Sequence, residues 1–172
     1  VLITGATGML GGALCSDWKG RFELYTTARS AQADHLPNYL SFDFIEPNIK
    51  LLDEMAEFDA IVHCSALTNV DYCEEHPDRA LEVNGRSVEK LLSLPNHPRV
   101  VFISSESLFE DGVYLARESD PINPQNAYSL SKAYGENVIS SSQGDHVSIR
   151  TTIVGTSGYS SRNNFFEDAI KP

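Results

Sequence analysis

Two short motifs in this chain combine residue types and spacings that can do chemistry. The first is Thr4-Gly5-Ala6-Thr7-Gly8-Met9-Leu10-Gly11, directly after the apolar run Val1-Leu2-Ile3. A glycine-rich turn leading from a strand into a helix makes a seat for a dinucleotide pyrophosphate. Gly5 permits the tight turn, Gly8 lets backbone approach phosphate, and Gly11 allows close packing of helix on strand. The second motif is Tyr128-Ser129-Leu130-Ser131-Lys132. On a helix, a tyrosine and a lysine four residues apart share one face, where the ammonium can stabilise a phenolate. A phenol titrates near about pH 10, too high for easy proton exchange at neutral pH, so Lys132 is expected to lower it by opposite charge. Tyr128 would then give a proton to a carbonyl oxygen as hydride reaches its carbon, while Lys132 holds the nicotinamide ribose. Ser104 and Ser105, ending an apolar run, offer a hydroxyl to orient that carbonyl. Each element has an ordinary explanation alone: a local turn, a surface helix, a strand-end cap. In combination they point to a nicotinamide-dependent oxidoreductase.

Cofactor choice is written after the second expected strand, in Thr26-Thr27-Ala28-Arg29-Ser30. NAD-binding turns usually place a carboxylate there to hold the ribose 2′-hydroxyl, and this stretch has none. Arg29, helped by the Ser30 hydroxyl, can pair with a 2′-phosphate, which favours NADP(H) and leaves NAD(H) open. As a plain solvated charge, Arg29 would say nothing. Asp43, at the end of the third expected strand, is either an acceptor for the adenine amino group or a turn residue.

These motifs need elements to position them, and strand and helix signals alternate along the chain. Strands are predicted over residues 1–4, 22–28, 39–44, 60–64, 99–104 and 146–154. Helices are predicted over residues 9–18, 51–58, 78–94 and 126–142. The first helix is expected to turn Leu10, Ala13, Leu14 and Trp18 inward, and the third Ala80, Leu81, Val83, Val88, Leu91 and Leu92. Alternation of this kind with near-continuous apolar strands implies an α/β fold, a doubly wound parallel sheet of Rossmann type covered on both faces. Residues 106–125 read as a long loop at a strand's carboxyl end, where ligands bind in open α/β sheets.

Composition bounds the rest. With 172 residues and 41% hydrophobic content, the chain supports one domain with a true core. A formal net charge of -11 argues against nucleic-acid binding. No apolar run approaches the roughly 20 residues of a membrane span, and no secretory leader pattern opens the sequence. Three cysteines, Cys15, Cys64 and Cys73, read as reduced thiols of a cytosolic protein. No Cys/His spacing suggests a metal. Residues 1–172 are expected to be a single dinucleotide-binding domain, trimmed at both ends, with a substrate-binding part lying outside.

At these residues the chain resembles the extended short-chain dehydrogenases/reductases, and within them the dTDP-4-dehydrorhamnose reductases. The likeness runs from Thr4 to Gly11, through Ile61-Val62-His63-Cys64-Ser65-Ala66 with Thr68, Val70 and Asp71, and through Val83-Asn84. It continues in Ile103-Ser104-Ser105, Phe109, Asp111-Gly112, the stretch from Tyr128 to Lys132, Ile149-Arg150-Thr151, and Asn163-Asn164-Phe165. The resemblance implies Ser105 as the catalytic hydroxyl, Tyr128 as acid/base and Lys132 as its electrostatic partner. It implies that Asn84 fixes the helix near the site through an ordered water. It assigns the cofactor to Gly5, Thr7, Gly8, Met9, Leu10, Gly11, Arg29, Ser30, Asp43, Phe44, Cys64, Ser65 and Ala66, with Tyr128 and Lys132, and no metal.

Reduction of the 4-keto group of a nucleotide-activated deoxysugar is the activity so implied, as in dTDP-rhamnose biosynthesis, in a cytoplasmic protein that can be a homodimer. A sugar-nucleotide epimerase or dehydratase of the same extended family would reuse these residues with tightly held NAD. A third reading is a non-catalytic NADP-binding regulatory subunit resembling the methionine adenosyltransferase β subunit, which would have no need of Ser105, Tyr128 and Lys132. The sequence departs from the reductase pattern at two places. His63 stands where asparagine is usual and is expected to pack beside the cofactor. The run Ser104-Ser105-Glu106-Ser107 replaces serine-threonine-aspartate-tyrosine, with one extra residue before Asp111-Gly112, so Ser107 changes the shape of the substrate pocket.

Overall fold

Apolar runs that read as strands buried on both faces pair as one parallel sheet. The computed structural model describes residues 1–30, 33–110 and 112–154. Its strands are β1 (Leu2–Thr4), β2 (Tyr25–Ala28), β3 (Tyr39–Ser41), β4 (Ala60–His63), β5 (Arg99–Ile103) and β6 (Val147–Ile149). They lie in the order β3-β2-β1-β4-β5-β6, each neighbouring pair parallel. The helices are α1 (Met9–Asp17), α2 (Ile49–Glu54), α3 (Val70–Glu75), α4 (Pro77–Leu81), α5 (Ser87–Leu92) and α6 (Ala127–Ser141). This is the doubly wound α/β fold that strand-helix alternation implied. Strand order reverses between β1 and β4, and the crevice beyond their carboxyl ends is where such a sheet receives a ligand.

Successive residues of a strand point to opposite faces, so each strand feeds two cores. Leu2, Ile61, Val100 and Phe102 pack with Val88, Leu91 and Ile139 on one face. Ile3, Val62 and Ile103 pack with Ala6, Cys15 and Leu24 on the other. Complete burial of side chains of this size contributes about 1.5–3 kcal/mol each. Among the described residues no helix is long and apolar enough to cross a membrane.

The strands expected over residues 22–28, 39–44 and 146–154 are shorter, so Asp43 lies past the end of β3, and three further features differ from the expected pattern. Ala13 is exposed, and Gly11, Gly12 and Cys15 are the buried positions of α1, with Leu10, Leu14 and Trp18 partly buried beside them. The helix must lie nearly on the turn that precedes it, and only glycine leaves the room. The helix expected over residues 78–94 is three pieces, α4 and α5 joined by a π-helical turn at Glu82–Arg86. Helix α3 was not legible: it has six residues and one buried side chain, Cys73, and is started by Asn69, whose side chain accepts the Tyr72 N–H at 2.7 Å.

The contact between α1 and its turn yields a direct test. A Cβ at position 11 would fall 2.4 Å from the Gly5 carbonyl oxygen and 2.8 Å from Ala6 Cα, both backbone atoms. Gly11→Ala is therefore expected to destabilise the fold by about 1–3 kcal/mol in urea denaturation. An unchanged midpoint would show that α1 can slide away from the turn at no cost.

Candidate active site

Gly5 adopts φ +67°, a conformation that other residues rarely take, and a Cβ there would lie 2.7 Å from the Ser65 nitrogen. The turn is thus pressed against the end of β4. It is closed by Gly8 N–H donating to Gly5 O at 2.9 Å, and Ala6 N–H ties it to Thr27 O at 3.0 Å. Gly8 is exposed and caps α1 with no side-chain hydrogen bond, and the first turn of that helix carries no acidic residue. The first amides of a helix have no intrahelical acceptors, so they suit an anion. Thr7, Met9 and Leu10 on one side and Cys64, Ser65 and Ala66 on the other are half-buried around this cradle. The residues present fit a dinucleotide pyrophosphate.

Arg29 and Ser30 follow β2 on the exposed surface, and Arg29 forms no ion pair among the described residues. The Tyr39 hydroxyl, facing the Ala28 and Ser30 carbonyls, holds this strand end in place. Asp43 Oδ1 accepts the Ile45 N–H at 2.9 Å, so the carboxylate does the work of a turn residue. Phe44 is buried. Its ring is 3% exposed, packed against Phe42 and His63, and its carbonyl takes the Lys90 ammonium at 2.6 Å. It offers no side-chain surface to a cofactor.

The candidate acid/base residues Tyr128 and Lys132 are carried by α6. A capping box starts this helix: Asn126 accepts the Ser129 N–H at 2.8 Å, and Ser129 Oγ accepts the Asn126 N–H at 3.1 Å. One turn later Lys132 is 2% exposed, its Nζ donating to the Ile103 carbonyl at 2.7 Å and lying 4.6 Å from the Phe102 ring centre. Burial pulls the Lys132 ammonium down to about 8, opposed by Cys64 and Glu136. Tyr128 is half-buried, and burial raises its phenol above the usual value. Hydrogen bonding with Ser105 pulls it back, and the Glu106 carboxylate pushes it up further. The expectation that Lys132 lowers the phenol is not met here, because the ammonium is turned to the end of β5 and not to its neighbour on the helix.

Of the two candidate hydroxyls, Ser105 Oγ donates to Glu106 Oε2 at 3.2 Å and lies 2.9 Å from Ser107 Oγ. Ser104, the other candidate, has its Oγ buried without a hydrogen-bond partner. Asn84 sits fully buried in the π-helical turn. Its Oδ1 accepts the Leu67 N–H at 2.7 Å, and its Nδ2 donates to Leu67 O and Ser131 Oγ, each at 3.0 Å. Asn84 therefore fixes α6 by a direct bond to the Tyr/Lys motif and also clamps the loop after β4. A π-turn reorients side chains that a regular helix would point elsewhere, and such turns are frequent at functional sites.

His63 does not pack beside a cofactor surface. It is fully buried, with Nδ1 2.8 Å from Thr4 Oγ1 and Nε2 2.8 Å from Ser87 Oγ. Ser87 spends its hydroxyl proton on Val83 O at 2.6 Å, so it must accept from Nε2–H, leaving Nδ1 to accept from Thr4. Thr4 Oγ1 in turn accepts the Ser65 N–H at 3.3 Å. One neutral imidazole thus links the glycine turn, the strand end beside it and the π-turn that carries Asn84. These bonds, with Ser87 and Ser131, escaped the sequence because their partners lie far apart along the chain. Glu136 was within reach of the same (i, i+4) rule that found Lys132. It is nearly buried and binds Arg150 through both oxygens, the shortest contact being 2.7 Å.

Beside Ser105 lies a cavity of 860 Å³, lined among others by Glu106, Ser107, Phe109, Glu136, Ser148 and Arg150. It opens under the loop expected over residues 106–125. The three cysteines are free, and no group of metal-ligating side chains occurs among the described residues. Asp111, Asn163, Asn164 and Phe165, part of the resemblance, lie outside the described residues.

Residues 1–171 match the RmlD substrate binding domain family. The chain is 33% identical over 177 residues to the spore coat polysaccharide biosynthesis protein SpsK of Bacillus subtilis (strain 168), covering 99% of this chain and 58% of that protein. It is 29% identical over 145 residues to methionine adenosyltransferase 2 subunit beta of Danio rerio, covering 81% and 43%. With dTDP-4-dehydrorhamnose reductase of Burkholderia thailandensis it shares 30% identity over 159 residues, 90% and 50%. Among solved structures it is similar to a hypothetical dTDP-4-dehydrorhamnose reductase from Sulfolobus tokodaii, with a TM-score of 0.77 and 29% identity over 87% of this chain and 54% of that one. The chain spans about half the length of these relatives.

The buried imidazole makes stability depend on pH with a definite sign. Burial, aided by the Lys132 charge, depresses His63 from 6.5 to about 3. As pH falls through 6.5 the unfolded chain takes up a proton that the fold refuses, so stability is lost on acidification across that interval. His63→Gln, which keeps one donor and one acceptor, is expected to flatten the slope of unfolding free energy against pH there. Equal slopes for the two proteins would contradict a neutral His63.

Proposed function

The chain belongs to the RmlD substrate binding domain family, and we propose that residues 1–172 are the dinucleotide-binding domain of an NADP(H)-dependent reductase. Its substrate on this reading is the 4-keto group of a nucleotide-activated deoxysugar such as dTDP-4-dehydrorhamnose. One observation carries the proposal: Ser105, Tyr128 and Lys132 gather at the carboxyl edge of β5 in the same sheet whose β1 ends in the glycine turn. Relatives named as dTDP-4-dehydrorhamnose reductases and as a polysaccharide biosynthesis protein support the substrate class.

A nicotinamide dinucleotide bound at the turn would supply the hydride. Backbone amides at the start of α1 hold its pyrophosphate, and Arg29 with Ser30 receives a 2′-phosphate. Lys132 lies at the strand end with a donor for ribose hydroxyls. Ser105 orients the substrate carbonyl. Tyr128, its phenol kept protonated by burial, gives the oxygen its proton. Asn84 and Ser131 keep α6 in register with the strand ends during the transfer.

Similarity to methionine adenosyltransferase 2 subunit beta favours a second reading, a subunit that binds NADP without turnover. The full-length protein with NADPH and dTDP-4-dehydrorhamnose separates the two. Steady NADPH oxidation is expected, and Tyr128→Phe should lower kcat by about 10²–10⁴ while leaving NADPH affinity nearly unchanged. Binding of NADPH without consumption would favour the regulatory subunit, and consumption undiminished by Tyr128→Phe would remove the phenol from the chemistry.

Cofactor choice has its own test. Arg29→Asp places a carboxylate against the 2′-phosphate and is expected to weaken NADPH binding by about tenfold or more, with NADH binding little changed. Equal losses for both cofactors, measured by fluorescence titration, would take Arg29 out of the selectivity.

A further inference from the structure

Arg150 follows β6 at the carboxyl edge of the sheet, and nothing in the reductase scheme uses it. Its side chain is 22% exposed and meets that of Glu136, 9% exposed, on α6 one turn after Lys132. Arg150 Nε lies 3.0 and 3.1 Å from the two Glu136 carboxylate oxygens, and Nη2 donates to Oε2 at 2.7 Å. That fork leaves Nη1 and the flat face of the guanidinium for other partners. Nη1 donates to the Glu118 carbonyl at 3.4 Å, and the guanidinium carbon stands 5.0 Å from the Phe109 ring centre. Phe109 and Glu118 both belong to the loop between β5 and α6. A planar group with five donors holds three partners in fixed directions, which a lysine ammonium on a flexible stem does not.

The loop has use for such a tie. Leu108 is fully buried, and the Asn123 N–H donates to its carbonyl at 2.8 Å, closing the loop at its neck. Beyond the neck, bonds such as Arg117 N–H to Asp120 Oδ2 at 2.8 Å and Asp120 N–H to Arg117 O at 3.0 Å are local. They shape the loop without attaching it to the sheet. Tyr114 and Leu115 stand out in solvent, and ordering a chain segment costs entropy that contacts must offset. The 860 Å³ cavity is lined from both sides of this contact, by Arg150 and Glu136 and by Phe109 and Glu118.

Resting on the reductase reading, we propose that Arg150, aimed by Glu136, is a positioning residue for the sugar-nucleotide substrate. It holds the loop between Leu108 and Asn123 at a set distance from α6. The width of the cavity is then fixed by the same helix that carries Tyr128 and Lys132. Arg150 acts through the loop and takes no part in hydride or proton transfer.

In the full-length protein, Arg150→Lys keeps the charge but gives up the fork, the Glu118 bond and the ring contact. Hydrogen exchange at the Val113, Arg117 and Asp120 amides is expected to quicken by about tenfold or more, with the α6 amides little changed. With NADPH and dTDP-4-dehydrorhamnose, the KM for the sugar nucleotide should rise by about tenfold, while kcat and NADPH affinity stay within about threefold of wild type. Phe109→Leu leaves the ion pair in place and should move loop exchange and KM in the same direction by a smaller factor. If Arg150→Lys does not fold, Phe109→Leu decides alone. Loop exchange unchanged in both variants overturns the positioning role, as does exchange quickened equally in the loop and α6. Faster loop exchange with an unmoved KM overturns it as well, and each of these results leaves the reductase reading intact. Absence of turnover in the wild type sinks that reading and the substrate role with it, and loop exchange still decides whether Arg150 holds the loop.

Discussion

A lysine ammonium held almost out of water at the end of a parallel strand sets terms for the rest of this chain. Isolating such a charge costs several kcal/mol unless partners are fixed in place. Lys132 has the Ile103 carbonyl as its hydrogen-bond acceptor and the face of Phe102 beneath it. Both belong to β5, so α6 must press against that strand at this height and rotation. Gly135, one turn further along α6, permits the approach, for a Cβ there would lie 2.8 Å from the Phe102 ring. Once the lysine is placed, the tyrosine four residues earlier is placed as well, beside the hydroxyl that ends the same strand.

The opposite half of the crevice is governed by close contact and not by charge. Gly5 and Gly11 allow the turn, the start of α1 and the end of β4 to occupy nearly the same space. The two halves are joined beneath the surface. His63 ties Thr4 of β1 to Ser87, one residue past the π-turn, and Asn84 within that turn reaches both the β4 loop and α6. The glycine turn and the helix that carries Tyr128 are therefore joined through hydrogen bonds whose loss would leave buried, unsatisfied groups. His63 thus engages both ring nitrogens inside the fold.

Local patterns carried much of this into the sequence. Strand-helix alternation implied the doubly wound sheet, and glycine spacing with the Tyr/Lys pair marked the turn and the helix from which the candidate site is built. What stayed hidden was non-local or below the length at which periodicity speaks. The His63 bonds span 59 and 24 residues, and nothing in a histidine after an apolar run reveals them. Helical spacing put Tyr128 and Lys132 on one face but not the direction of the ammonium, which the Ile103 carbonyl decides. Ala13 was expected inward because apolar periodicity ignores how near a glycine turn can lie. The π-turn at Asn84 breaks the period of a helix that otherwise reads as continuous.

On the proposed reading, these placements would seat a nicotinamide ring between the glycine turn and Tyr128, with its ribose within reach of Lys132. A crystal structure of the full-length protein with NADPH tests that most directly. The arrangement described here predicts the pyrophosphate over residues 5–8, Lys132 Nζ within about 3 Å of a ribose hydroxyl, and the reactive face of the ring toward Tyr128. A bound NADPH whose ring leaves the crevice, with Lys132 still bonded only to Ile103, would contradict it.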